Sequence, residues 1–102
     1  MFMKGYVYLL CDGEKFKIGM TKQNINKRIK ELQTGNPNEI WLRSYYETNY
    51  PLKVEQMMHT KYKISNIKNE WFDLSSYQVL NFKNACDECE QIINSLKDNP
   101  FF

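Results

Sequence analysis

Residues 5–20 read GYVYLLCDGEKFKIGM, and this stretch decides the fold. Its first part, GYVYLLC, consists of the aliphatic, β-branched and aromatic residues that favour strands. Asp12 and Gly13 follow as a favourable two-residue hairpin turn. Residues 15–20 (KFKIGM) then alternate polar and apolar side chains, as a strand with one buried face does. The stretch therefore predicts a β-hairpin.

The residues after the hairpin predict a helix of about three turns. Ile25, Ile29 and Leu32 recur at the spacing of one helix face. Asn24 is a residue type that caps helix N-termini, and Pro37 lies just beyond the expected end.

A third strand and two more helices are predicted from there on. Residues 40–48 (IWLRSYYET) are rich in strand formers, and Pro51 suits the first turn of a helix that runs to about residue 63. After the bulky pair in residues 70–74 (EWFDL), Ser75 or Ser76 caps a long last helix. Its apolar stripe comprises Phe82, Cys86, Cys89, Ile93 and Leu96. The predicted order is β-β-α-β-α-α.

Composition indicates one globular domain. The chain has 102 residues, of which 42% are hydrophobic and 25% charged. No apolar run approaches the roughly 18 residues of a bilayer span, and no signal-peptide pattern opens the chain. Three cysteines cannot all pair, so we expect an intracellular, cytoplasmic protein, in the host cell if the source is viral. Cys86 and Cys89 have the spacing of half a zinc site, but their apolar stripe favours a place in the core.

The charge is unevenly distributed. Residues 1–68 contain 12 Lys and Arg against 6 Asp and Glu, whereas residues 69–102 contain 2 against 6. The basic part is compatible with a polyanion such as nucleic acid. The acidic last helix would repel a phosphate backbone, so we expect it to pack on the sheet or on another subunit.

Three charged or titratable residues lie on or beside apolar helix faces. Arg28 borders the stripe of the first helix, and Glu55 and His59 share the side of the second helix that also carries Leu52 and, further along, Met58 and Tyr62. An ionised group in such a place is costly unless it is paired, solvated or metal-bound. One interpretation is a structural ion pair between Arg28 and Glu55, with His59 at the boundary. The other is a catalytic cleft. The pattern alone leaves both open.

The order of these segments resembles the GIY-YIG nuclease superfamily, and more closely its compact branch from phages and large DNA viruses. Residues 6–8 (YVY) and 17–19 (KIG) are similar to the two tripeptides of the family name. Residues 27–37 (KRIKELQTGNP) resemble the first helix and its exit turn, residues 55–59 the second helix, and residues 70–72 the closing strand. The resemblance covers residues 5 to about 74, roughly two-thirds of the chain.

The resemblance implies an α+β domain with a three-stranded antiparallel sheet flanked by helices. It implies a nuclease domain over residues 1–74 and a C-terminal helical extension, residues 75–102, packed on the same domain. The implied activity is cleavage of phosphodiester bonds, in DNA rather than RNA, with Mg²⁺ or Mn²⁺ as cofactor. By that resemblance Tyr8 helps to deprotonate the attacking water, Arg28 neutralises the scissile phosphate, and Glu55 is the sole protein ligand of the metal.

The sequence also departs from the family pattern. Tyr6 stands in place of the name-giving glycine, and Lys17 stands where the second tyrosine is usual. Their positions in the family motifs imply that both belong to the catalytic residues. A lysine can hold a phosphate but cannot replace a phenol as a proton acceptor at neutral pH. His59, one turn after Glu55, can serve as an acid or base in the same cleft. We predict a structural role for Gly19, as a bend or a close backbone approach.

A non-catalytic module with this fold that binds nucleic acid or a protein is the alternative hypothesis, and a domain that binds no nucleic acid is a third. No separate DNA-reading domain is recognisable in the sequence. Sequence specificity would therefore come from a homodimer or a protein partner, or be absent.

Overall fold

The computed structural model describes residues 4–97. In chain order its elements are β1 (Gly5–Cys11), β2 (Phe16–Thr21), α1 (Ile25–Thr34), β3 (Trp41–Thr48), α2 (Pro51–Lys61), β4 (Asn66–Lys68), β5 (Trp71–Phe72), α3 (Ser76–Leu80) and α4 (Phe82–Leu96). A 3-10 turn, Lys63–Ser65, follows α2. The predicted hairpin, first helix and third strand are confirmed. The predicted domain and its extension include residues 1–3 and 98–102, which lie outside the described residues.

The sheet is antiparallel throughout and has five strands in the order β3-β1-β2-β5-β4. The α+β class is confirmed, but the expected count of three strands is wrong. The additional strands are short, with three residues in β4 and two in β5. All of β4 is exposed, so it has no buried face that would give an alternating pattern.

Alternate residues of β1 face two different cores. Val7 and Leu9 point to the larger cluster, which contains the buried residues of α2 and α4. Tyr8 and Leu10 point to the smaller cluster, against which Ile29 and Leu32 of α1 pack. The period of two along a strand therefore separates α1 from the other large helices, on opposite faces of the sheet.

The C-terminal helices pack on the same sheet as the rest of the chain. The predicted single helix is two helices, because Asn81 ends α3 with a non-helical backbone and begins α4. A capping box of Ser75 and Gln78 starts α3. Cys86 and Cys89 are buried free thiols, as their stripe indicated. The boundary between residues 74 and 75 as a domain division stays a prediction.

One core assignment on α2 was wrong. Leu52 is 52% exposed, whereas Val54 and Met58 are fully buried. The buried face of α2 is thus rotated away from Leu52, and Glu55 and His59 lie at its boundary, half-buried. None of the helices within residues 4–97 combines the length and apolar character that a bilayer span requires.

Candidate active site

The candidate site lies along the edge of β2, where its pairing with β5 ends. The Ile18 N–H donates to the Glu70 carbonyl at 3.0 Å, and this is the last bond between the two segments. Beyond this bond, side chains of α2 form hydrogen bonds with the exposed backbone edge of β2. The Ile18 carbonyl accepts a hydrogen bond from His59 Nε2 at 2.8 Å, and the Met20 N–H donates to the Glu55 carboxylate. The boundary position of Glu55 and His59 on α2 therefore gives them a backbone partner and leaves them partly open.

The bond to Ile18 fixes the tautomer of His59. A carbonyl oxygen can only accept, so Nε2 carries the hydrogen and Nδ1 is left to bind a proton or a metal. The ring also packs on Phe72 of β5, with 5.1 Å between the centroids. Strand and core together hold this imidazole in one orientation.

Two carboxylates meet at the site. The side chains of Glu55 and Glu70 are hydrogen-bonded, and partial burial together with the nearby Glu70 charge raises the pKa of Glu55 to about 7. Lys17 opposes this rise, since its ammonium lies 3.3 Å from a Glu70 oxygen and its side chain is only 15% exposed. At neutral pH the pair therefore holds a negative charge that one lysine balances in part.

Glu55, His59 and Glu70 form a group that could hold a metal ion. Each offers one ligand atom, and these atoms all lie within 4.8 Å of one another. The three come from α2 and the residue before β5, so the sheet and α2 must both be folded for the group to exist.

Tyr8 and Arg28 complete the cluster from the other face of the sheet. Burial raises the pKa of Tyr8, and a hydrogen bond with Arg28 acts in the opposite direction. The charges of Glu70 and Glu55 also raise it, which places the phenol near both carboxylates. Tyr8 is 1% exposed, whereas the Arg28 side chain is 36% exposed. Arg28 is therefore the member of this pair that solvent or a phosphate can reach.

Gly19 contributes to the geometry of this site through its close approach to the Tyr8 ring. It lies opposite Tyr8 in the β1–β2 pairing. A Cβ atom at Gly19 would lie 2.6 Å from Cζ of the Tyr8 ring and closer still to its hydroxyl oxygen. Only glycine leaves the phenol this position.

Among the predicted site residues, Tyr6 lies apart from the carboxylates. It is two residues before Tyr8 on the same face of β1, and its ring packs edge-to-face against Tyr45 at 6.0 Å. The structure thus brings Tyr8, Lys17, Arg28, Glu55 and His59 together. Tyr6 neighbours only the Tyr8 end of this group, on the same face of β1. Their catalytic roles stay predictions.

The structural ion pair between Arg28 and Glu55 does not form. In residues 4–97 the ion pair of Arg28 is with Glu31, 3.8 Å away and one turn along the helix. Arg28 instead points its charge towards Tyr8.

Glu70 is a site residue that was not predicted from the sequence. Its place just before β5 indicated only a strand. Its partner carboxylate, Glu55, is 15 positions earlier on another element, so their contact is not visible in the sequence. A charged residue directly before a bulky apolar pair was the available signal.

A protein-family model, the T5orf172 domain, matches residues 5–94. The chain belongs to the T5orf172 domain family. T5orf172 domains are found in phage- and virus-type nucleases, so membership suggests a nuclease or DNA-binding role. No curated protein and no solved structure matches the chain. The match includes α3 and nearly all of α4, so this T5orf172 domain extends beyond the segment that resembled GIY-YIG nucleases.

Proposed function

We propose that this T5orf172 domain is a GIY-YIG-type endonuclease that hydrolyses phosphodiester bonds in DNA with one divalent cation, Mg²⁺ or Mn²⁺. The observation that carries the proposal is the meeting of Glu55, His59 and Glu70 within 4.8 Å, next to the hydrogen-bonded Tyr8 and Arg28. A carboxylate group, a guanidinium and a phenol around one partly open site can hold a metal ion, neutralise a phosphate and accept a proton in phosphodiester hydrolysis.

The residues present fit a divalent cation. Two hydrogen-bonded carboxylates, one with its pKa raised to about 7, form a site where added positive charge is favourable. Glu55 is the proposed ligand, and Glu70 and His59 are the further donors in reach. A hard cation that keeps most of its waters needs only one or two carboxylates from the protein. When bound, it would stabilise the negative charge that develops on the phosphate oxygens.

Arg28 is the proposed phosphate ligand of the protein. Its guanidinium is exposed enough to meet a DNA strand, and its hydrogen bond to Tyr8 fixes its direction. A guanidinium can bind two phosphate oxygens at once, so it orients the phosphate as well as neutralising it.

Tyr8 is the proposed proton acceptor for the attacking water. Its closed position means that this water must enter with the substrate rather than from bulk solvent. Burial raises the pKa of the phenol. For proton transfer, the charge of Arg28 and that of a cation bound to the carboxylates would have to lower this pKa. His59 is the second candidate acid or base, through Nδ1. Lys17 holds Glu70 by an ion pair and adds a positive charge to the cleft.

Cleavage of supercoiled plasmid by the purified protein tests this proposal. We expect nicking with Mg²⁺ or Mn²⁺ and none with EDTA. Glu55→Gln should reduce cleavage to background, because the amide keeps the size of the side chain but loses its charge. Glu14→Gln, at an exposed glutamate of the hairpin turn, is the matched control and should cut like the wild type.

Two results would contradict the proposal. Equal cutting by Glu55→Gln and the wild type would remove Glu55 from the mechanism. Salt-sensitive DNA binding without cleavage under either ion would indicate the non-catalytic DNA-binding module instead.

A further inference from the structure

An open pocket of about 210 Å³ lies beside the candidate site, between β3 and the N-terminal end of α1. Its lining residues are Tyr6, Asn24, Ile25, Asn26, Leu42 and Tyr45. Its volume admits one planar ring system, and because the pocket is open the rest of a ligand can extend into solvent.

Two aromatic rings form one side of the pocket. Tyr6 and Tyr45 pack edge-to-face with an angle of 71° between the ring planes, so they do not stack on each other. Tyr45 is 44% exposed although it lies on the face of the sheet that carries buried Tyr8. The ammonium of Lys83 lies over the Tyr45 ring, 5.2 Å from its centre, and brings a positive charge near the pocket. Stackable rings next to a cation suit a nucleotide.

Asparagine amides form the opposite side. The Asn24 oxygen accepts the Lys27 N–H at 3.2 Å, which leaves the Asn24 amide hydrogens as donors. Asn26 is exposed at the start of α1 and offers both a donor and an acceptor. Amide groups of this kind pair with the polar edge of a nucleobase.

The position of the pocket connects it with the proposed chemistry. Tyr45 is the cross-strand neighbour of Tyr8, and Tyr6 is two residues from Tyr8 on the same face of β1. Two residues along a strand span about 7 Å, which is about two nucleotide steps of stacked DNA. A strand whose phosphate meets Arg28 can therefore place a nearby base against Tyr45.

We infer that this pocket binds one unpaired nucleobase of the DNA strand, stacked on Tyr45 and held at its edge by Asn26. The inference rests on the proposed function and adds the class of substrate: single-stranded DNA, or a duplex with an extruded base. A base inside an intact duplex is stacked on both sides and cannot enter.

Binding of a short single-stranded oligonucleotide that contains 2-aminopurine tests the inference. The fluorescence of this base falls when it stacks. The titration is done in EDTA, so that its outcome does not depend on cleavage. We expect quenching by the wild type and by Tyr45→Phe, which keeps the ring. Tyr45→Ala should lose the quenching and raise Kd about tenfold, within the range for loss of one base–aromatic stack.

Trp41→Ala is the matched control, since Trp41 is an equally exposed aromatic on β3 outside the pocket. It should quench and bind like the wild type. Tyr45→Ala that binds and quenches as Trp41→Ala does would overturn the inference, as would a wild type that binds the oligonucleotide without quenching. If the wild type cuts no DNA but Tyr45→Ala alone loses the quenching, the nuclease proposal fails and the nucleobase pocket stands.

Discussion

Replacing Gly19 by alanine puts a methyl group into space that Tyr8 already fills. The added Cβ would lie 2.6 Å from Cζ and 2.8 Å from Cε1 of that ring, where ordinary contacts begin near 3.4 Å. The ring must therefore shift by most of an ångström, and at 1% exposure it has no free space to enter. Overpacking of this kind costs about 1–3 kcal/mol. For a domain of this size that lowers Tm by roughly 5–20 °C.

Differential scanning calorimetry of Gly19→Ala, a control variant and a double-mutant cycle measures this cost. Gly35→Ala is the control, because its nearest neighbour would be Leu32 O at 4.0 Å and its φ is –93°. We expect it to melt close to the wild type. The partner test is a double-mutant cycle with Tyr8→Leu, which removes the far end of the ring. Gly19→Ala should cost much less in that background, because the clashing atoms are gone.

An unchanged Tm for Gly19→Ala would contradict the proposed clash. An equal loss of unfolding free energy with and without the Tyr8 ring would contradict it as well. The same variant also links the fold to the site. A displaced phenol can no longer meet Arg28, so Gly19→Ala should lose cleavage even at temperatures where it is fully folded.

Two further predictions concern stability. Because the pKa of Glu55 is raised from 4.5 to about 7, the folded protein holds a proton that the unfolded chain releases. In the absence of metal, the stabilisation of the folded state by this proton is complete below about pH 4.5 and is lost as the pH rises to about 7. After allowance for solvent screening of a half-exposed group it amounts to about 1–2 kcal/mol. Melting curves at about pH 5 and pH 8 should differ more for the wild type than for Glu55→Gln, and equal differences would contradict this. Tyr46→Phe removes a hydroxyl whose single hydrogen is shared between the Asp87 and Glu90 carboxylates, and in a denaturant titration it should cost about 1.5–3 kcal/mol. Tyr77→Phe, at a 75% exposed ring, should leave the free energy of unfolding unchanged in the same titration.

The larger elements of the fold could be predicted because each has a local signal. The hairpin has a turn dipeptide between strand formers, and α1 has its cap at Asn24 and an apolar stripe. The missed elements lack such signals. β4 is exposed along its whole length, and the break at Asn81 interrupts a stripe that continues in phase.

The candidate site was predictable only in part. Arg28, Glu55 and His59 were noticeable as charged or titratable residues beside apolar faces. The contribution of Glu70 depends on tertiary structure, since β5 must pair with β2 before the carboxylate reaches Glu55. A helical wheel also cannot choose a partner, so it allowed an Arg28–Glu55 ion pair, whereas in the structure Arg28 pairs with Glu31. Tyr6 was assigned by motif position, whereas its neighbours show that it lines a different pocket.

The measurement that tests the proposed endonuclease most directly is anomalous diffraction from a crystal soaked in Mn²⁺. We expect a manganese peak in contact with the Glu55 carboxylate, with Glu70 or His59 as further neighbours, and no such peak in Glu55→Gln crystals. Manganese bound elsewhere, or no manganese beside Glu55 at a concentration that supports DNA cleavage, would contradict it.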